Sequence, residues 1–230
     1  ADSVQVAAGR ADLLIENRLD ATIGGGLALA SAAASVTSGS TFDIISTDSI
    51  SAKSADITLA AVEKMDLRTG RLDGDIVGDI DIAAGGHMQL TVVDASLNAY
   101  GALTGNVARS ANLVADSLQV ETLEKVDVSS ARISLDAGRS LDAFASERLN
   151  VRGGNVTAEA DVNFRILAGD SVDVMTADVS VRASESTKIS TDSLDVVSTD
   201  SVGVSSDNVR LASSDLEVSV GKTMDFSVGG

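Results

Sequence analysis

The 230-residue chain contains no cysteine, no proline and no tryptophan. Without cysteine it has neither a disulfide scaffold nor a thiolate metal site. A single histidine, His87, excludes a zinc site of two or more histidines and any dyad needing a second one. Aromatic residues are confined to Phe42, Phe144, Phe164, Phe226 and Tyr100. Bases are scarce as well: 17 Lys and Arg stand against 34 Asp and Glu, for a formal charge of −17. So acidic a chain repels phosphate, and no nucleic-acid partner is expected. The same charge favours solubility. Long apolar runs are missing. The longest, Leu27 to Val36, is broken by serines and falls short of the about 20 residues a spanning helix needs, so no membrane insertion is expected. No basic stretch leading into an apolar one opens the chain, so no signal peptide is visible. The absence of an initial methionine reads as a fragment or a processed product.

What is present is 44 % hydrophobic, nearly all Ala, Val, Leu and Ile, which is enough to bury and to escape disorder. It is also repetitive. The unit is apolar–polar–apolar–polar–small, as in Ile57-Thr58-Leu59-Ala60-Ala61, Val172-Asp173-Val174-Met175-Thr176 and Val179-Ser180-Val181-Arg182-Ala183. Taking the first apolar residue of each unit as an anchor gives thirty anchors from Val4, Ala11, Leu19 and Leu27 through to Leu216 and Met224, every one 7 or 8 residues from the next. Ala and Thr187 are the weak members. Apolar residues two apart follow the strand period, whereas a heptad coiled coil would space them three and four apart. Val, Thr, Ser, Asp and Gly also disfavour helix interiors.

Each unit therefore reads as a short strand with two large apolar residues inward, a third inward residue that is small, and a corner of Asp, Ser, Asn or Gly, as in Ser46-Thr47-Asp48-Ser49 and Ser198-Thr199-Asp200-Ser201. Hairpin dipeptides are not systematic, which points to strands coiling in one direction. Three successive gaps sum only to 22 or 23, whereas two sum to anything from 14 to 16. The expected fold is all-β: one continuous domain over 1–230, a three-faced parallel β-solenoid (β-helix) of about 23 residues per turn.

Two windings satisfy that arithmetic. One chain winding alone gives ten turns, about 48 Å high at ~4.8 Å per layer; an intertwined homotrimeric triple β-helix would reach roughly 140 Å. The outward residue between each apolar pair discriminates. A trimer stacks each base of the series Arg165, Asp173, Ser180, Lys188, Asp195, Gly203, Arg210, Glu217 on the next acid. A single chain stacks Arg165, Lys188 and Arg210 together, like on like. Asp66, Asp73 and Asp81 are consecutive in the same series and favour the single chain, which is the first expectation.

No site emerges from the motifs. The acidic cluster Asp73, Asp75, Asp79, Asp81 lacks the spacing of a calcium loop and reads as solvated surface. His87 reads as a surface corner residue. Adjacent Asp-Asp, the phosphate loop, the dinucleotide fingerprint and the G-x-S-x-G elbow are all absent from the sequence. The expectation is no enzyme, no catalytic residue, no metal and no cofactor. Asn155-Val156-Thr157 is a chance sequon, since Val156 is an anchor. Phe144 falls outward, either as an ordinary exposed aromatic or as a lateral contact.

The units resemble those of β-solenoid shafts and filaments: phage tail-spikes, filamentous adhesins and bactofilin-like proteins. Ile133-Ser134-Leu135-Asp136-Ala137-Gly138-Arg139-Ser140-Leu141 carries the likeness. It is one of architecture and carries no functional residue across. It implies a structural rod that self-associates, as an end-to-end filament or a homotrimer. The alternatives are the shaft of a viral or cell-surface fibre, with an extracellular or surface location, and an acidic cation-binding matrix protein. Lateral association is expected to be weak, because the faces are acidic.

Overall fold

The structure, a computed structural model, describes residues 4–15, 19–23, 27–38, 40–46 and 49–228, with the backbone alone for 4–15, 19–23, 28, 30–33 and 41. Strands make up nearly all of it, and the described residues contain no helix. All pairings are parallel and link a residue to one 22 or 23 positions further on, for example Ile50↔Leu72 and Leu103↔Val126. The chain is thus a parallel β-solenoid of about 23 residues per turn. About eight turns are formed, against the ten that the full length would give at that period.

Every anchor pairs with the third anchor after it. This sorts the units into three ladders running the length of the stack. The first carries Leu27, Ile50, Leu72, Ala95, Leu118, Leu141, Phe164, Thr187 and Val209. The second runs from Ala34 through Ile57, Ile80, Leu103, Val126, Leu149, Val172 and Leu194 to Leu216. The third runs from Phe42 through Met65, Met88, Ala111, Ile133, Val156, Val179 and Val202 to Met224. The partner at each step belongs to the same chain.

Anchors and third inward residues form the deepest core. Phe42, Ile76, Ile133, Ala137, Ala160 and Val172 are almost wholly enclosed. The middle inward residues, such as Leu67, Leu113, Leu135 and Val181, are half-buried and pack on that core. Of the two large inward residues the anchor is thus the more enclosed: corners, where an anchor meets the small residue ending the previous strand, are packed most tightly.

Strands are also longer than one unit. Leu103–Thr122 and Lys125–Ala145 each run through two corners without a break. Most breaks fall where the gap is eight, at corners such as Val77-Gly78 and Ser146-Glu147. Most seven-residue gaps are turned without a break in the strand, and some eight-residue gaps are too, as between Leu103 and Ala111 and between Ile133 and Leu141.

The small third inward residue does more than save room. Ser54, Thr69, Ser130, Thr176 and Thr191 donate their hydroxyls to the carbonyl two residues on, and Ser46 and Ser198 to the one three residues on. The acceptor is always the residue just before the next anchor. A corner carbonyl turned out of the ladder is thereby satisfied.

Corner glycines serve close approach rather than left-handed backbone, since no described residue has positive φ. A Cβ on Gly169 would collide with the carbonyl oxygen of Ser146 in the turn below, and one on Gly85 with that of Val62. Gly169→Ala is therefore expected to cost on the order of 1–3 kcal/mol, as overpacking does. Denaturant titration beside the wild type measures it, and an unchanged midpoint would show that the corners are not this tight.

Candidate functional site

The outward side chains decide what the rod can contact. Among the described residues several ion pairs are local, two residues apart on one strand: Lys64–Asp66 at 3.1 Å, Arg68–Asp66 at 2.8 Å, Arg71–Asp73 at 2.7 Å and Lys125–Asp127 at 2.9 Å. Others bridge successive turns, including Arg139–Asp116 at 2.6 Å and Arg182–Glu159 at 3.3 Å. Lys222 pairs with Asp200 in the same manner. Hydrogen bonding and charge from these partners raise the pKa values of Lys125, Arg139 and Lys222. Burial pushes the Asp127 carboxyl up, but hydrogen bonds from Asn150 and Lys125, with the lysine's charge, outweigh it and hold the pKa below the ordinary value. Its stabilisation is present above the unfolded-state pKa and is lost as pH falls through the depressed folded value.

The acidic cluster does not converge. Asp73 is held by Arg71, and Asp75 lies 3.6 Å from Lys53. Asp79 Oδ1 accepts from the backbone N–H of Ala102 at 2.8 Å, while the N–H of Asp79 donates to Asp56 Oδ1 at 3.1 Å. These two aspartates pin the corner of the turn above, which is a structural use of a carboxylate. Asp81 is exposed in a different ladder. No group of three or more His, Asp or Glu that could hold a metal occurs among the described residues.

His87 is exposed, with Nδ1 2.6 Å from Ser110 Oγ. It has Lys64 below and Ser110 above in its ladder. His87→Ala is expected to change stability by no more than about 0.5 kcal/mol, the range of ordinary surface changes. Thermal melting checks this, and a larger loss would give the His87–Ser110 pair a role that its exposure does not suggest. Asn155 is exposed in a strand beside buried Val156. Of the corner motif Ser46-Thr47-Asp48-Ser49, Thr47 and Asp48 lie outside the described residues.

The outer surface of the first ladder stands apart. It carries two shallow grooves. One is lined by Arg71, Asp73, Asp94, Ser96, Gln119 and Asp142, the other by Glu121, Phe144, Ser146, Leu167 and Ser190. Phe144 is half-buried there, directly below Leu167. Val77, Tyr100 and Leu123 line the adjoining corner on successive turns, each at least half exposed. Further up, Arg165, Lys188 and Arg210 stand in one column, as the single-chain winding requires. Arg165 lies 3.7 Å from Asp142 on the turn below. Among the described residues no carboxylate comes within ion-pair distance of Lys188 or Arg210. The sequence-stacked acids Asp66, Asp73 and Asp81 fall in three different ladders, so they do not repel one another through stacking. The second ladder does stack Asp173, Asp195 and Glu217.

No protein-family model, curated protein or solved structure matches this chain.

Proposed function

We propose that the chain is a structural rod with a three-faced cross-section, one face per ladder, which extends by end-to-end assembly into a filament. The observation that carries this reading is the pair of strand edges that bound the described stack. Among the described residues, Thr223–Val228 is paired only on one side, with Ser201–Ser206, and Val4–Ile15 only with Leu27–Ser38. The last turn leaves Leu216, Met224 and Val228 at least half exposed, although their counterparts one turn lower, Leu194, Val202 and Ser206, are buried. An unpaired strand edge over an unfinished apolar column is a template for another copy. The side chains of Val4, Ala11 and Leu19, which such a copy would present, lie outside the described residues. The alternatives of a fibre shaft and a cation-binding matrix differ in outcome.

Static light scattering with electron microscopy over a range of concentrations tests the reading. Filaments that lengthen with concentration and are indifferent to chelators are expected. A 23 kDa particle at every concentration would refute it. A fixed trimer would favour the intertwined shaft, and assembly only in the presence of calcium the matrix protein.

A further inference from the structure

We propose that the outer surface of the first ladder is a self-complementary interface through which two rods pair side by side and antiparallel. The inference does not rest on end-to-end assembly. It starts from the change of sign along this one surface. Below Leu141 the charged outward groups lean acidic, Asp73, Asp75, Asp94 and Glu121 against Lys53 and Arg71, with Asp94 and Glu121 exposed; above it the central column holds Arg165, Lys188 and Arg210. Stacking three bases about 4.8 Å apart is unfavourable, and only the lowest has a carboxylate near it. A net charge of −17 opposes association of two copies in general, yet this surface offers local attraction.

An isologous pair requires that a patch fit itself under a two-fold axis. Place that axis along the strand direction, in the plane between two copies, midway between the turns of Leu141 and Phe164. The column then faces its own reverse. Asp142 meets Arg165 of the second copy, and Arg165 meets Asp142. Lys188 lies over the turn of Gln119 and Glu121, and Arg210 over the turn of Asp94. The two half-buried apolar residues fall at the centre, Phe144 against Leu167 and Leu167 against Phe144. Charged groups ring an apolar middle, as stable interfaces are arranged. Six overlapping layers of ~4.8 Å by a strand of about 20 Å cover roughly 1,100 Å² over both copies, the low end for a specific interface. On this proposal lateral contact is weak through the acidic surfaces and favoured through this one.

The test uses two full-length variants. Arg165→Glu/Lys188→Glu/Arg210→Glu makes the surface acidic throughout; Asp94→Lys/Glu121→Lys/Asp142→Lys makes its lower half basic. Neither should pair with itself laterally, but the two should pair with each other. With a tag on the acidic variant, capture of the untagged basic variant should exceed capture of the untagged acidic variant by at least about tenfold, the sum of several exposed charge pairs, and should vanish in about 1 M salt. Axial assembly is common to both captures and cancels. Equal capture of the two, or capture unaffected by salt, would overturn the proposal. Should Asp142→Lys fail to fold by circular dichroism, Asp94→Lys/Glu121→Lys gives the same comparison.

Discussion

Val172→Asp is expected to cost several kcal/mol and to unfold the middle of the rod. Val172 is wholly enclosed, between Leu149 and Leu194 in the second ladder. A carboxylate there would have no cation and no donor in reach, and burying an unpaired charge is among the most expensive changes a core can suffer. Ile133→Asp, Val179→Asp and Val202→Asp should behave alike, since each anchor is buried in the third ladder. The outward partners Ser134→Asn and Ser180→Asn should stay within about 0.5 kcal/mol. Because each turn is stabilised chiefly by its neighbours, a lesion in mid-stack should also split the unfolding transition, whereas one near an end should fray only that end. Equilibrium denaturation followed by circular dichroism reads both effects. An anchor variant as stable as Ser180→Asn would mean that the ladders are wrongly assigned.

The ladders were legible because two periods are written independently into the sequence. Alternation of two places each side chain in or out. The third-gap sum of 22 or 23 is the number of residues that bring one anchor over another. Weak anchors were still placed correctly: Thr187 is buried and in register between Phe164 and Val209, although its hydroxyl finds no partner. Other features depend on distances between turns, which no local pattern records. The collision awaiting a Cβ at Gly169 exists only because Ser146 lies one turn below. The corner hydroxyl bond needs the chain to have turned before donor and carbonyl meet, yet its trace was present as Ser or Thr four residues after an anchor, in Ser54, Thr69, Ser130 and Thr176. The acidic cluster, expected as solvated surface, is close only in sequence: the solenoid distributes Asp73, Asp75, Asp79 and Asp81 over two ladders and a corner, where Asp79 accepts from the Ala102 N–H. The sign change on the first ladder was present in the series containing Arg165, Lys188 and Arg210. Its meaning required knowing that Asp142 continues the same column.

A proline in the last strand is expected to stop axial growth completely while leaving the rod folded. Along Thr223–Val228 successive N–H groups point alternately to the strand below and to the open edge. Of Asp225→Pro and Phe226→Pro, one therefore removes a donor from the bonds to Ser201–Ser206, and the other removes one only from the edge where a new copy would add. The second kind is tolerated by an edge strand but prevents another strand from pairing over it. It should melt as the wild type does and form no end-to-end filaments at concentrations where the wild type forms them. Its sibling should lose the last strand and lower the melting point slightly. Val4→Lys at the other end, an anchor of the sequence repeat, should block growth from that side. Mixing the blocked rods with wild type gives the decisive reading. A rod blocked at one end still has the other end open, so it should cap wild-type filaments and shorten them in proportion to its share of the mixture. Filaments of unchanged length, formed with either proline in place, would place the assembly contact elsewhere than the strand edge.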